Sequence, residues 1–396
     1  MPWWAPWRRW RRRLNPPSAL DGLSDELVFL LFSRAPFSTH GTLHVVNRRL
    51  KNLLRSSEFR QQRVECGTAE YGLVLAAGVR HDLSTITECS MMRTEFGLRR
   101  RDVVAWRPIA PLSGEHSFGC SAILENEDGQ PEMWVMGGMF HKKWADLDED
   151  LPRELATVEA YNLRTNTWRS CLPLSQPRFR AVAGVVGGRL VVAGGYADDG
   201  GILTSVEAYS PTGWTPLPPL PHATRDSTAS VLDGRLYVMG GLGRGAKKLQ
   251  VLEFSEEDGF SWTVKADLPA ARDSAASAAA VDGKLWLMGG VVKDEEEEHE
   301  DEESEEDDAA PRDRGPASVV VYDVQNDTWA TGPELPRGIL SCDAQILAGE
   351  VYVTGENDSG ESMTFRSGTH GWEQVPSFND GQGMRHGAMR QSLLLG

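Results

Sequence analysis

The 396-residue chain has only five cysteines, Cys66, Cys89, Cys120, Cys171 and Cys342, and no two form a CxxC pair. Neither a disulfide framework nor a zinc site is therefore expected, and a reducing compartment, cytosol or nucleus, is. No run approaches the ~18 consecutive apolar residues of a membrane-spanning helix. The nine histidines are scattered and no GxSxG elbow occurs, so no catalytic or metal set can be assembled and no cofactor is expected. Gly240 to Lys248, GGLGRGAKK, has the glycine content of a phosphate loop. Ala246 stands where such a loop needs its lysine, and the glycines close a strand rather than open a helix. Positive charge is also scarce. The formal net charge is −16, but Asp294 to Asp308, DEEEEHEDEESEEDD, carries 13 acids in 15 residues, and without that run the balance is −3. The remainder is close to neutral, which gives no case for a nucleic-acid binder.

What is present is a repeat. Arg178 to Pro221 reads as four short alternating apolar runs separated by Gly, Asp and Pro turns, the signature of a four-stranded antiparallel unit. An apolar run ending in two glycines recurs at Gly137-Gly138, Gly194-Gly195, Gly240-Gly241 and Gly289-Gly290, with weaker forms at Ala77-Gly78 and Thr354-Gly355. A lone tryptophan, followed by Leu-Pro or a near relative, recurs at Trp106, Trp168, Trp214, Trp262, Trp329 and Trp372. From each tryptophan to the second glycine of the next unit is 26 to 32 residues, whereas glycine to its own tryptophan varies from 17 to 39. The variable half must hold the exposed loops. One such sheet cannot bury both faces, so units stack radially, with the tryptophan filling the wedge between neighbours.

These ordered marks, over about 68–396, resemble the kelch repeat, which implies a β-propeller. Six marks imply six blades, with Arg385 to Leu395, RHGAMRQSLLL, supplying the missing strand of the first unit and closing the ring. The insertions 139–157, carrying Trp144, and 291–316, the acidic loop, are expected to be loops, the latter disordered by charge repulsion. Within the acidic run, Ser304 resembles an acid-directed kinase site.

Ahead of the repeats, residues 1–19 are expected to be a disordered tail, opening with five arginines and four tryptophans in thirteen residues. From 20 to 64 the period becomes helical. Ser24 can cap a helix with Asp25 and Glu26 in its first turn and Leu27, Leu30 and Leu31 on one face; Pro36 ends it. A second stretch aligns Leu43, Val46, Leu50, Leu53 and Leu54. This segment resembles an F-box: Leu23, Asp25, Glu26, Leu27, Pro36, Val46, Arg48, Arg49, Leu53, Leu54 and Phe59 fit the pattern, and Ser24, Ala35, Asn47 and Leu50 depart from it. The resemblance implies a small α-helical domain that docks a Skp1-type adaptor of a cullin ubiquitin ligase through Leu23, Leu27, Leu30, Leu31, Pro36, Val46, Leu50, Leu53 and Leu54. The alternative is a helical cap that binds nothing.

The whole pattern reads as a mostly β protein, a six-bladed propeller behind an F-box-like domain, and as a non-catalytic adaptor that holds a protein substrate for ubiquitin transfer. A kelch scaffold with a vestigial F-box, and a small-molecule-binding or enzymatic propeller, stay open. Aligning the Leu-Pro or Leu-Ser turns places His116, Arg178, Arg225 and Arg272 four or five residues after Leu112, Leu174, Leu220 and Leu268, with Arg337 and Arg385 less regularly spaced. In a ring such positions share one radius. They read either as a cationic collar for an acidic or phosphorylated peptide or as ties between strand-end carbonyls of adjacent blades.

Overall fold

The computed structural model describes residues 24, 52–53, 56–65, 71–76, 89–97, 100–103, 107–114, 116–140, 153–197, 201–272, 276–290, 292–293, 318–336, 342–347, 350–356, 362–368, 371–375 and 389–394. The first unit is a five-stranded sheet of β1 (Tyr71–Ala76), β2 (Cys89–Gly97), β3 (Arg100–Val103), β4 (Arg107–Ile109) and β29 (Met389–Leu394), ordered β29-β1-β2-β3 with β4 paired to β2 off that path. A blade of order β10-β9-β6-β5 follows, from β5 (Cys120–Glu125), β6 (Pro131–Met136), β9 (Val158–Asn162) and β10 (Thr167–Ser170), with the short pair β7 (Met139–Phe140) and β8 (Arg153–Glu154) between. The next is β11 (Val182–Val186), β12 (Arg189–Ala193), β13 (Val206–Ser210) and β14 (Gly213–Leu217), then β15 (Thr228–Leu232), β16 (Arg235–Met239), β17 (Leu249–Ser255) and β18 (Gly259–Lys265). The fourth blade holds β20 (Ala276–Val281), β21 (Lys284–Gly289), β23 (Val319–Asp323) and β24 (Thr328–Thr331), with the pair β19 (Ala271–Arg272) and β22 (Val292–Lys293) beside it. The fifth is β25 (Cys342–Leu347), β26 (Glu350–Glu356), β27 (Ser362–Gly368) and β28 (Gly371–Val375).

Two expectations are corrected here. The four-stranded blade occurs five times, not six, because the first unit is built differently: the nine-residue β2 pairs with β4 along Cys89–Met91 and with β3 along Thr94–Gly97, so its outer strand is split in two. In place of a helical domain, the described residues hold one short helix, α1 (Ser57–Glu65). The rest of the adaptor-docking set, Leu23, Leu27, Leu30, Leu31, Pro36, Val46, Leu50 and Leu54, lies outside the described residues; Leu53 is half-buried. Among the described residues no helix is long and apolar enough to cross a membrane. The C-terminal strand β29 pairs antiparallel with β1 from Tyr71↔Leu394 to Ala76↔Met389, and it touches both β5 and β25.

Local chemistry explains the repeat. Second strands such as β12, RLVVA, are buried on both faces after their first residue because neighbouring blades cover them. First strands crowd toward the axis and are built from small residues, as in β20, ASAAAV. Ala122, Ala183, Gly184, Ala229, Ala278 and Ala344 are among those lining a central channel of about 400 Å³. The inner hairpins turn on Asp233-Gly234 (φ 50° and 71°) and Asp282-Gly283 (φ 49° and 72°), the left-handed pair a tight two-residue turn demands. The described tryptophans of the repeat mark do more than fill a wedge. The indole N–H of Trp214 donates to the Leu172 carbonyl (2.9 Å), and Trp168, Trp262, Trp329 and Trp372 donate likewise to Ala110, Pro218, Ala266 and Pro333, joining the outer strand of one unit to the exit of the one before. Trp106 lies outside the described residues.

At the end of the channel marked by the β5–β6 turn, α1 meets the propeller. Phe59, Arg60 and Arg63 of α1 are buried, and the Arg60 guanidinium donates to Glu125 Oε1 at 2.6 Å. Nearby, buried Glu132 accepts from Arg169 (2.8 Å), Asn162 (2.8 Å) and Asn126 (3.1 Å). Burial pushes its carboxyl up, but these donors outweigh burial and hold it below the ordinary carboxylate range. A depressed folded-state value contributes stability that is present above the ordinary range and lost as pH falls through the folded value. Urea unfolding should therefore show stability falling as pH drops from about 6 toward 3, with a shallower fall in Glu132→Gln. Identical slopes in the two proteins would refute the assignment.

Candidate functional site

The opposite end of the channel is where the double glycines lie. Gly137 and Gly138 have φ of 61° and 106°, and a Cβ on them would come within 2.4 Å of the Arg178 carbonyl and 2.7 Å of the Ser117 carbonyl. Only glycine permits this approach. It lets Gly138 N–H donate to the Arg178 carbonyl at 2.8 Å, tying the end of β6 to the segment entering the next blade.

The residue four positions after each turn leucine fills a repeated slot at this end. Arg178 is 2% exposed. One terminal nitrogen donates to the carbonyls of Gly194 (2.9 Å) and Ser205 (3.0 Å), the other to Ser205 Oγ (3.0 Å) and Glu207 Oε1 (3.0 Å). Glu207 Oε2 in turn accepts from the Ser175 N–H at 2.9 Å. Burial lowers the Arg178 pKa and the Glu207 charge opposes it. Arg272 repeats the arrangement on Gly289 and Ser318, and Gly241 N–H donates to its carbonyl at 2.7 Å. His116 does so with one ring nitrogen on the Gly137 carbonyl (2.8 Å) and the other facing Glu159 and Thr157 (each 3.4 Å). Burial raises the Glu159 carboxyl, but bonds from His116 and Ser113 bring it below its ordinary range. Beside Arg178, Cys120 is enclosed and burial pushes its thiol up to about 12.

The expected collar is thus divided. His116, Arg178 and Arg272 are buried, and their side chains tie strand ends within the blade each leads into rather than between adjacent blades. In the β15–β18 blade the slot belongs to Thr224, whose hydroxyl donates to the Gly240 carbonyl at 3.0 Å, while Gln250 takes the position of Glu207. Arg225, one residue further, is only half-buried and sits elsewhere. The spacing after the leucine, four against five, carried that distinction in the sequence. Arg337 and Arg385 lie outside the described residues.

Sequence reasoning missed the residues around Arg225. Its guanidinium carbon lies 4.8 Å above the Tyr196 ring, and Tyr196 stacks on Phe179 at 4.8 Å and 12°. Next to them Arg180 lies over Phe118 at 4.5 Å, pairs with Asp226, and takes the Phe118 carbonyl for its own N–H at 2.7 Å. Phe118, Arg180 and Asp226 each stand six residues after their turn leucine, and all three are left-handed, with φ of 54°, 51° and 56°. Non-glycine residues rarely accept such backbone, and the recurrence in three successive blades marks it as built in. No single motif spells this cluster; only its period does. Among the described residues no group of three or more His, Cys, Asp or Glu could hold a metal.

Two stretches of the chain, 130–174 and 177–221, match the Kelch motif. The chain is 24% identical over 280 residues to Kelch-like protein 35 of Mus musculus, covering 69% of this chain and 41% of that protein. It is 25% identical to F-box/kelch-repeat protein At1g74510 of Arabidopsis thaliana (59% and 46%) and 25% identical to F-box/kelch-repeat protein SKIP30 of the same plant (62% and 65%). The chain therefore spans less than two thirds of these relatives' lengths. The structure of YjhT superposes with a TM-score of 0.55 at 14% identity, covering 76% of this chain and 97% of that one, a likeness of fold alone. The two motifs, with relatives named kelch-like and F-box/kelch-repeat, support a place for this chain in the kelch protein family.

Proposed function

We propose that the chain is a non-catalytic substrate adaptor of a Skp1–cullin–F-box ubiquitin ligase, acting in the cytosol or nucleus. The N-terminal leucine-rich segment docks a Skp1-type adaptor, and the propeller holds a protein substrate at its glycine-pair end. The observation that carries this reading is the placement of α1. Its Arg60–Glu125 pair holds the chain leaving the N-terminal segment at the β5–β6 turn end of the channel, and among the described residues the left-handed rim stands at the opposite end, away from α1. The names of the F-box/kelch-repeat relatives support it. Holding a substrate beside an activated ubiquitin raises the effective concentration of its lysines without bond chemistry by the adaptor.

Purified Skp1-type adaptor should bind the full chain at micromolar affinity or better, and Leu27→Asp with Leu53→Asp should abolish binding while the thermal transition of the propeller is retained. Absence of binding to a folded full chain would instead favour a kelch scaffold with a vestigial F-box.

A further inference from the structure

Of the arginines at the open end, Arg178 and Arg272 spend their guanidinium groups on strand-end carbonyls, and Arg180 is committed to Asp226 and the Phe118 ring. Arg225 differs. Among the described residues its guanidinium has no hydrogen-bond or ion-pair partner at all; its Nε, like that of Arg178, is buried and unpaired, but the Arg178 terminal nitrogens are bonded. Its backbone is pinned by reciprocal bonds with Leu242 (3.2 and 2.8 Å), and its side chain is laid on Tyr196, itself held by backbone bonds to Phe179 (2.9 and 3.3 Å) and by stacking on that ring. A guanidinium stripped of part of its water with no acceptor in return is a standing deficit. Contact with the ring limits the freedom of its donor fork, so less is left to lose when an acceptor arrives. Asp226, the nearest carboxylate in sequence, is occupied by Arg180.

We infer that Arg225, framed by Tyr196 and Phe179, is the anchor for an oxyanion carried on a partner peptide, a carboxylate or a phosphate, with the two rings as an apolar wall beside it. The inference rests on the protein-binding reading above and narrows the substrate surface to one blade junction.

The test presents the full chain to arrays of short synthetic peptides whose central residue is Glu, phosphoserine, Gln or Ser. Wild type should retain the Glu or the phosphoserine set at least about tenfold better than its uncharged counterpart, and whichever set is retained names the source of the oxyanion. Arg225→Ala should lose that preference, Arg225→Lys should keep part of it, and Tyr196→Ala should weaken it where Tyr196→Phe does not. Melting curves identify any variant that fails to fold, and Arg225→Lys carries the test if the alanine variant does. Equal retention of charged and uncharged peptides, a preference that survives in folded Arg225→Ala, or no retention of any set by the folded wild-type chain would each overturn the inference. Binding of the Skp1-type adaptor, measured on the same proteins, is indifferent to Arg225, so this failure is separable from failure of the adaptor reading.

Discussion

A chain that stops at Ala388 should lose its cooperative unfolding transition. The missing strand β29 pairs with six consecutive residues of β1 and touches β5 on one side and β25 on the other. Its loss leaves β1 as an open edge and breaks the inner ring of strands at one point. At about 1 kcal/mol net per backbone hydrogen bond, plus the apolar surface uncovered between β25 and β5, the cost is comparable with the roughly 5–15 kcal/mol by which domains are stable at all. Circular dichroism melting of the truncated chain should show a broad, low-temperature change, with aggregation through the exposed edge. A sharp transition within a few degrees of the full chain would show that β29 does not hold the ring.

The second large effect is expected at Arg178. Methionine matches much of its volume but supplies no donor. Arg178→Met would orphan the buried Gly194 carbonyl, leave the half-buried Ser205 carbonyl with the Gly194 N–H alone, and leave Glu207, 3% exposed, without its cation. Breaking a buried ion pair on one side costs roughly 3–5 kcal/mol, whereas removing both charges together costs far less. Arg178→Met should therefore be severely destabilised in urea unfolding, and Arg178→Met with Glu207→Met should recover a substantial part of the loss. Strictly additive effects in that double-mutant cycle would mean the two side chains do not depend on each other.

The sequence made the repeat legible because its marks are backbone requirements. Gly137-Gly138 and their equivalents are fixed by a carbonyl less than a side chain away, and the tryptophans by a hydrogen bond from one unit to the one before. The first unit was misread because strand counting assumes each outer strand is continuous, and nothing in the composition of 89–109 states that β2 changes partner halfway. The helical segment was read from its leucine periods, and of that segment the structure describes chiefly α1. The collar failed in part for a physical reason: arginine is the residue for capturing a partner's oxyanion and equally the residue for satisfying buried carbonyls. Residue type cannot separate the two, but a shift of one position, Arg225 against Thr224, does. The Phe118–Arg180–Asp226 rim stayed invisible because its three members share a backbone conformation and no side-chain chemistry.

The union of β1 with β29 also sets a clock. The two strands are about 310 residues apart in the chain, and at ~5–20 residues per second of ribosomal synthesis β1 emerges roughly 15 to 60 seconds before the strand that completes its sheet. During that interval five blades can form as each hairpin leaves the ribosome, but the edge of β1 has no partner within the chain. This contact, of very high sequence separation, belongs to the slowest class of folding events. The nascent protein therefore spends most of its early life as an open arc, and its yield in the cell is governed by how well that arc is shielded until its last strand arrives.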